Sequence, residues 1–339
     1  MTIKAGNISR NFYGLGIPES ANGLHTLGQT SDGRFTVNEQ GVQRISATGD
    51  RKVEFVGWET HTLAHVRSKM GYPAYYPVEP VATEDPLKAV LMDLDGTTIR
   101  SEEFWIWIIE LTTASLLGDS KFTLEDSDIP YVSGHSVSEH LSYCIRKYCP
   151  EGSLEAARSI YFEHSHREMD AIMRGRGRAN AFTPCEGIKE FLQELKSSGI
   201  RIALVTSGLY EKAWPEILDG FKTLGLGDPT VFYDTIITAG FPLRSGTVGT
   251  LGELSPKPHP WLYSEACRVG LGVDFSERNR VVAIEDSAAG VCAARLAGFA
   301  TYGIAGGNII DSGAQSLCHR YVDGFESLIK DLRPRLPEA

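Results

Sequence analysis

Long apolar runs are missing from this sequence of 339 residues. None is long enough to span a bilayer as a helix, and Met1–Asn7 is without the apolar core of a signal peptide. Cysteine is scarce: Cys144, Cys149, Cys185, Cys267, Cys292 and Cys318 are scattered, and no two form a CxxC pair. This excludes a disulfide scaffold and a CxxC-type zinc site, and leads to the expectation of reduced, mostly buried thiols in a cytoplasmic protein. Positive charge is short as well. The 33 Lys and Arg against 43 Asp and Glu give a formal net charge of −10, which argues against nucleic acid or an anionic membrane as partner. No internal repeat is evident. What is there is 42% hydrophobic and 22% charged, the balance of a globular chain large enough for more than one domain.

The stretch Ala89-Val90-Leu91-Met92-Asp93-Leu94-Asp95-Gly96-Thr97-Thr98 organises the rest. Apolar on both faces, Ala89 to Met92 reads as a buried strand of a parallel sheet. It ends in two aspartates, where open α/β sheets bind ligands, and Gly96 lets the chain leave by a tight turn. Two carboxylates this close repel unless a cation or a shared proton relieves them. They point to a divalent metal, to one nucleophile paired with one proton donor, or to both. As plain turn residues they would carry no chemistry.

Residues 1–86 read as a β-rich extension, with frequent glycine and no long helical periodicity. Strands are expected at 34–37 and 52–58, with turns at Asp32-Gly33 and Gly49-Asp50. A short helix is expected over 61–70, stopped by Gly71 and Pro73. It would set His61 and His65 on one face as surface histidines, with no third metal ligand in view. Residues 101–182 read as a helical insert. Its helices are expected at 104–117, entered through Ser101-Glu102-Glu103, at 136–148 and at 154–173. Arg174-Gly175-Arg176-Gly177-Arg178 reads as a solvated hinge back to the main domain. From Pro184 onward helices and strands alternate: helix 187–198, with Ile188, Phe191, Leu192 and Leu195 on one face; strand 200–205; a helix interrupted near Pro215; strand 235–238; helix 261–269; strand 280–284; a small-residue helix 288–297; a last core strand 301–304; and a closing helix 325–332. This is the pattern of an α/β, doubly wound parallel sheet with right-handed crossovers, built from 87–100 and 183–339.

Three of these strands end in polar groups: Asp93 and Asp95, Thr206 and Ser207, Glu285 and Asp286. In a parallel sheet such ends share one edge. Lys257 stands before the last of these strands, in the proline-bracketed stretch Ser255-Pro256-Lys257-Pro258-His259-Pro260. Carboxylates without clustered His or Cys suggest a hard cation with oxygen ligands, and Mg²⁺ is the usual one. A lysine and a threonine added to Mg²⁺ make a phosphate site.

On these residues the sequence resembles the haloacid dehalogenase-like superfamily of phosphotransferases. Four family motifs stand in order from residue 88 to about 305: DxDGT at Asp93 to Thr97, the strand ending at Thr206, Lys257-Pro258, and Glu285-Asp286-Ser287-Ala288-Ala289-Gly290. The last motif, with Val291, Ala293-Ala294 and Ala297-Gly298 behind it, is similar to that of beta-phosphoglucomutases and small sugar-phosphate phosphatases. The resemblance implies a Rossmann-like core with 101–182 as its helical cap domain. It implies that Asp93 is the nucleophile that becomes an aspartyl-phosphate, and that Asp95 is the acid and then the base. Mg²⁺ would be held by the Asp93 carboxylate, the Asp95 main-chain carbonyl and Asp286, with Glu285 as a further ligand or as an acid behind the ligands. Thr206, Ser207, Gly208 and Lys257 would bind the phosphoryl group.

Ser133-Gly134-His135-Ser136 resembles the cap loop that reaches the active site in that subfamily, which makes Gly134, His135 and Arg146 candidates for touching substrate. Two positions depart from the family pattern. Arg100 replaces a frequent acid, and Trp105 replaces the histidine that mutases usually carry. The expected function is a Mg²⁺-dependent phosphatase of a small phosphorylated metabolite, with a beta-phosphoglucomutase-like mutase and a non-catalytic binding protein as alternatives. Asp95 favours phosphate-ester chemistry, because the dehalogenases of the superfamily lack an aspartate there.

Overall fold

The computed structural model describes residues 11–12, 17–18, 23–67, 74–132, 137–239 and 255–337. They form two compact units, one within Met1–Thr98, Glu186–Tyr210 and Pro229–Ala339, the other within Ile99–Cys185 and Glu211–Asp228. The first unit begins with an antiparallel meander of β1 (His25–Leu27), β2 (Arg44–Ala47), β3 (Val53–Gly57), β4 (Thr62–Val66) and β5 (Ala74–Pro77), paired in chain order. Two expectations fail here. Residues 34–37 make no strand, only an isolated bridge from Thr36 to Gln29. The segment after His61 is β4 rather than a helix, because its backbone pairs with β3 on one side and β5 on the other. Pairing on both sides overrides a helical reading of so short a segment. His65 is consequently not a surface residue: it is 4% exposed, and its Nδ1 lies 2.9 Å from Glu54 Oε2.

The parallel sheet comprises β6 (Ala89–Asp93), β7 (Arg201–Val205), β8 (Thr235–Ile237), β9 (Val281–Glu285), β10 (Ala300–Ile304) and β11 (Arg320–Val322), in the order β8-β7-β6-β9-β10-β11. Every neighbouring pair is parallel. Strand β11 extends the sheet beyond the expected last strand; its three residues are too few to show a pattern in sequence. The chain enters at the centre of the sheet, builds outward to β8, then returns to β9 and builds the other way. The carboxyl end of β6 therefore stands at the switch in strand order, where this class of sheet opens a crevice.

The main helices are α1 (Glu102–Leu117), α2 (Val137–Tyr148), α3 (Leu154–Met173), α4 (Ile188–Ser197), α5 (Tyr210–Leu224), α6 (Trp261–Glu265), α7 (Ala288–Leu296) and α8 (Phe325–Leu332). In the helical unit, Phe104, Ile108 and Ile109 of α1, Leu141 and Cys144 of α2, and Tyr161 and Met169 of α3 are buried. Helix α5 runs unbroken through Pro215, correcting the expected interruption. The proline lies in the second turn, where it forfeits a single i−4 bond, and Ile217, Phe221 and Leu224 beyond it are buried.

Alternation along the parallel strands divides the core of the first unit. Ala89, Leu91, Ala203, Val205, Val281 and Ala283 cluster with Leu262 and Tyr263 of α6 and with Ala293 and Ala294 of α7. Helix α7 is covered on its other side too: Ala288, Val291 and Cys292 cluster with Val53 and Phe55 of β3, Ala64 and Val66 of β4, and Val78. A helix buried between two sheets has no room for large or charged side chains over most of its surface, which accounts for its small residues. All six cysteines are free thiols, four of them buried. Among the described residues no helix is long and apolar enough to cross a membrane.

Candidate active site

The register of the parallel sheet brings the motifs together. Val205 pairs with Asp93 and Ile284 with Met92, so Thr206 and Glu285 flank the end of β6. Asp93, Glu285 and Asp286 are all buried, and one carboxylate oxygen of each lies within 4.8 Å of the others. The Lys257 ammonium enters among them. Its Nζ donates to Asp93 Oδ1, to Glu285 Oε1 at 2.6 Å and to the Val205 carbonyl at 3.2 Å.

Thr206 Oγ1 donates to Asp95 Oδ2 at 3.2 Å and accepts the Gly208 N–H at 2.9 Å. Ser207 Oγ accepts the Lys257 N–H at 3.0 Å. These three residues, read from sequence as phosphate binders, thus already have partners within the site: Thr206 steadies Asp95 and Ser207 steadies the backbone of Lys257. Thr98 Oγ1 holds the Asp93 carbonyl at 2.6 Å.

Glu285 accepts from Lys257 and from Tyr263 on one oxygen and from the Ser287 hydroxyl at 3.1 Å on the other. Ser287 also caps α7, its Oγ accepting the Gly290 N–H at 3.1 Å. The helix is thereby fixed against the strand end that presents Asp286.

Three carboxylates face one ammonium in a buried space. Burial and the neighbouring Glu285 push Asp93 up to about 8, against the pull of Lys257. Asp286 is raised well above the ordinary carboxylate range by burial and by Asp93 and Glu285. Burial opposes the charge on Lys257, but Asp93 and Glu285 outweigh it and raise its pKa, so it stays an ammonium. The cluster is short of positive charge, and its donors are oxygens only. That combination fits a hard divalent cation.

The backbone also keeps space around Asp286. A Cβ on Gly96 would lie 2.1 Å from Asp286 Oδ2, and one on Gly307 would lie 2.3 Å from the Asp286 carbonyl and 2.5 Å from Oδ2. Asn308, next to Gly307, accepts the Ala288 N–H at 2.9 Å through its Oδ1.

A family model for haloacid dehalogenase-like hydrolases matches residues 87–298. The chain belongs to this family. As a haloacid dehalogenase-like hydrolase it is 27% identical over 224 residues to the pyrophosphatase PpaX of Bacillus velezensis, covering 66% of this chain and 85% of the relative. Its fold matches a provisionally named beta-phosphoglucomutase of Thermotoga maritima at a TM-score of 0.54 and 22% identity, over 74% of this chain and 100% of the other. It matches CbbY of Rhodobacter sphaeroides, solved with phosphate, at 0.50 and 22%, over 71% and 96%.

Of the other residues read from sequence, Gly134 and His135 lie outside the described residues, and Arg146 is exposed on α2. Sequence reasoning missed Tyr263 and Gly307 in this hydrolase. Tyr263 belongs to no motif, although it lies five residues beyond Pro258. Gly306-Gly307 lies one residue past the end of β10, on the same sheet edge as the motifs, and that position was the available signal.

Proposed function

We propose that the protein is a Mg²⁺-dependent phosphatase acting on a small phosphorylated metabolite, such as a sugar phosphate, through an aspartyl-phosphate on Asp93. The observation that carries this reading is the buried convergence of Asp93, Glu285, Asp286 and Lys257, with half-buried Asp95 held by Thr206. An Asp93 carboxylate oxygen attacks phosphorus in line, the bond from phosphorus to the ester oxygen breaks, and the departing oxygen takes a proton from Asp95. Water then attacks the same phosphorus, gives its proton to Asp95, and inorganic phosphate leaves as the bond to Asp93 breaks. Lys257 offsets charge between nucleophile and phosphoryl oxygens. Mg²⁺, held by Asp93, Asp286 and the Asp95 main-chain carbonyl, would neutralise charge that one lysine cannot. Glu285 acts behind these ligands, since both its oxygens already accept hydrogen bonds.

The helical unit serves in this reading as the substrate-selecting cap. On α1, Trp105 stands in place of the mutase histidine and packs under the Lys212 ammonium, 3.9 Å from its ring centroid. This favours hydrolysis over isomerisation. The test is a panel of phosphorylated metabolites, including hexose 1-phosphates and inorganic pyrophosphate, followed for free phosphate in Mg²⁺ and in EDTA. Phosphate release that EDTA abolishes and Mg²⁺ restores is expected. Full activity in EDTA would overturn the metal assignment. Hexose 6-phosphate outrunning free phosphate by about 10²-fold, roughly 2.7 kcal/mol in barrier, would establish a mutase instead.

A further inference from the structure

We infer that the N-terminal antiparallel sheet is a positioning element of the active site, acting through Tyr76 on the turn that carries Lys257. The kinetic consequence of this inference rests on the phosphatase reading. Lys257 is the second residue of a four-residue turn closed by the His259 N–H donating to the Pro256 carbonyl at 3.1 Å. One side of that turn is tied to the β7 end by Ser207. The other side is tied to β5: the Tyr76 hydroxyl lies 2.8 Å from His259 Nδ1. The Tyr76 ring stands edge-on to His259 and to Trp261, each at 5.9 Å between centroids.

Trp261 opens α6, the helix whose Tyr263 holds Glu285. One side chain, Tyr76, thus meets both the turn bearing Lys257, through its hydroxyl, and the first residue of the helix bearing Tyr263, through its ring. Lys257 Nζ has to reach Asp93, Glu285 and the Val205 carbonyl together, which leaves little tolerance for movement of its backbone. Two more links run from the same sheet to the Asp286 side of the site. Residues of β3 and β4 pack on α7, which begins two residues after Asp286. The Gly49 N–H donates to the Ser312 carbonyl at 2.9 Å, a few residues beyond Gly307 and Asn308.

The experiment compares full-length wild type with Tyr76→Phe, which keeps the ring and loses only the hydroxyl, and with Tyr76→Ala. Two quantities are read: kcat and KM in Mg²⁺, and the rate at which acetic anhydride labels Lys257, followed by mass spectrometry of its peptide. In the wild type the Lys257 side chain is 6% exposed and held by two carboxylates, so labelling is slow. Tyr76→Phe is expected to lower kcat roughly tenfold with KM moved by less than about twofold, to label Lys257 faster, and to melt close to the wild type. Tyr76→Ala is expected to do more of each. Wild-type kcat in Tyr76→Phe would overturn the inference, and so would a fall in kcat without faster labelling, since the lysine would then not have moved. Should the wild type turn over no phosphorylated compound, the phosphatase reading fails, while labelling of Lys257 still decides the positioning role.

Discussion

Asp286 occupies a space that glycine alone leaves open. Gly96 and Gly307 approach it from two loops, and a methyl group at either would sit inside van der Waals contact of its carboxylate. Gly96 also has a φ of 82°, a conformation other residues adopt at a cost. Gly307→Ala is therefore expected to lower Mg²⁺ affinity about 10- to 100-fold and turnover with it, and to lower the melting temperature too, because its methyl group would stand 2.3 Å from the Asp286 main-chain oxygen. Calorimetric titration with Mg²⁺ measures this directly; unchanged binding would mean that the cradle does not shape the metal site. Asp93, Asp95, Thr206, Lys257, Glu285 and Asp286 were legible in sequence because each stands at a strand end or a proline-bracketed turn. Tyr263 and Gly307 were not, because what marks them is proximity in space to Glu285 and Asp286, which no local pattern encodes. For Thr206 and Ser207 the sequence identified the residues but not their partners, Asp95 and the Lys257 backbone.

Elements whose burial is uniform along their length were the readable ones. Strands β6, β7 and β9 are continuous apolar runs, and α4 and α8 carry clear apolar stripes, so their bounds came within a residue or two. Strand β4 was not readable, because Thr62–Val66 is held by backbone pairing and by a buried polar cluster that looks hydrophilic in sequence. In that cluster Glu54, 1% exposed, accepts the Ser31 N–H on both oxygens at 3.0 Å and a bond from His65 at 2.9 Å. Burial would raise its pKa, but the bonds from His65 and Ser31 outweigh that and lower it below the ordinary 4.5. A carboxyl whose folded pKa is depressed stabilises the fold fully above its unfolded value, and that stabilisation drains away as pH falls through the folded value. Glu54→Gln should therefore be less stable than wild type near neutrality, with the gap narrowing as pH is taken below 4.5. Urea unfolding at both pH values checks it, and a gap that stays constant would show that the charge of Glu54 does not contribute.

At the scale of the whole molecule, the N-terminal sheet shares a hydrophobic core with the parallel-sheet region. It and the parallel sheet enclose α7 from two sides, and its Tyr76 reaches the Lys257 turn. The α/β class and the order of the motifs followed from sequence because strands and helices alternate after residue 184. The shared core did not, because the residues that build it, Val53 to Val78 and Ala288 to Leu317, lie more than 200 positions apart. All of this architecture converges on Asp93, and the central claim is that Asp93 carries the phosphoryl group. The direct measurement is a single turnover with the best substrate from the panel, quenched in acid, reduced with borohydride and mapped by peptide mass spectrometry. The account predicts homoserine at position 93 in the wild type, from reduction of the aspartyl-phosphate, and neither turnover nor trapped product in Asp93→Asn. Sustained turnover by Asp93→Asn, or turnover in the wild type with no trapped intermediate at Asp93 under the same quench, would contradict it.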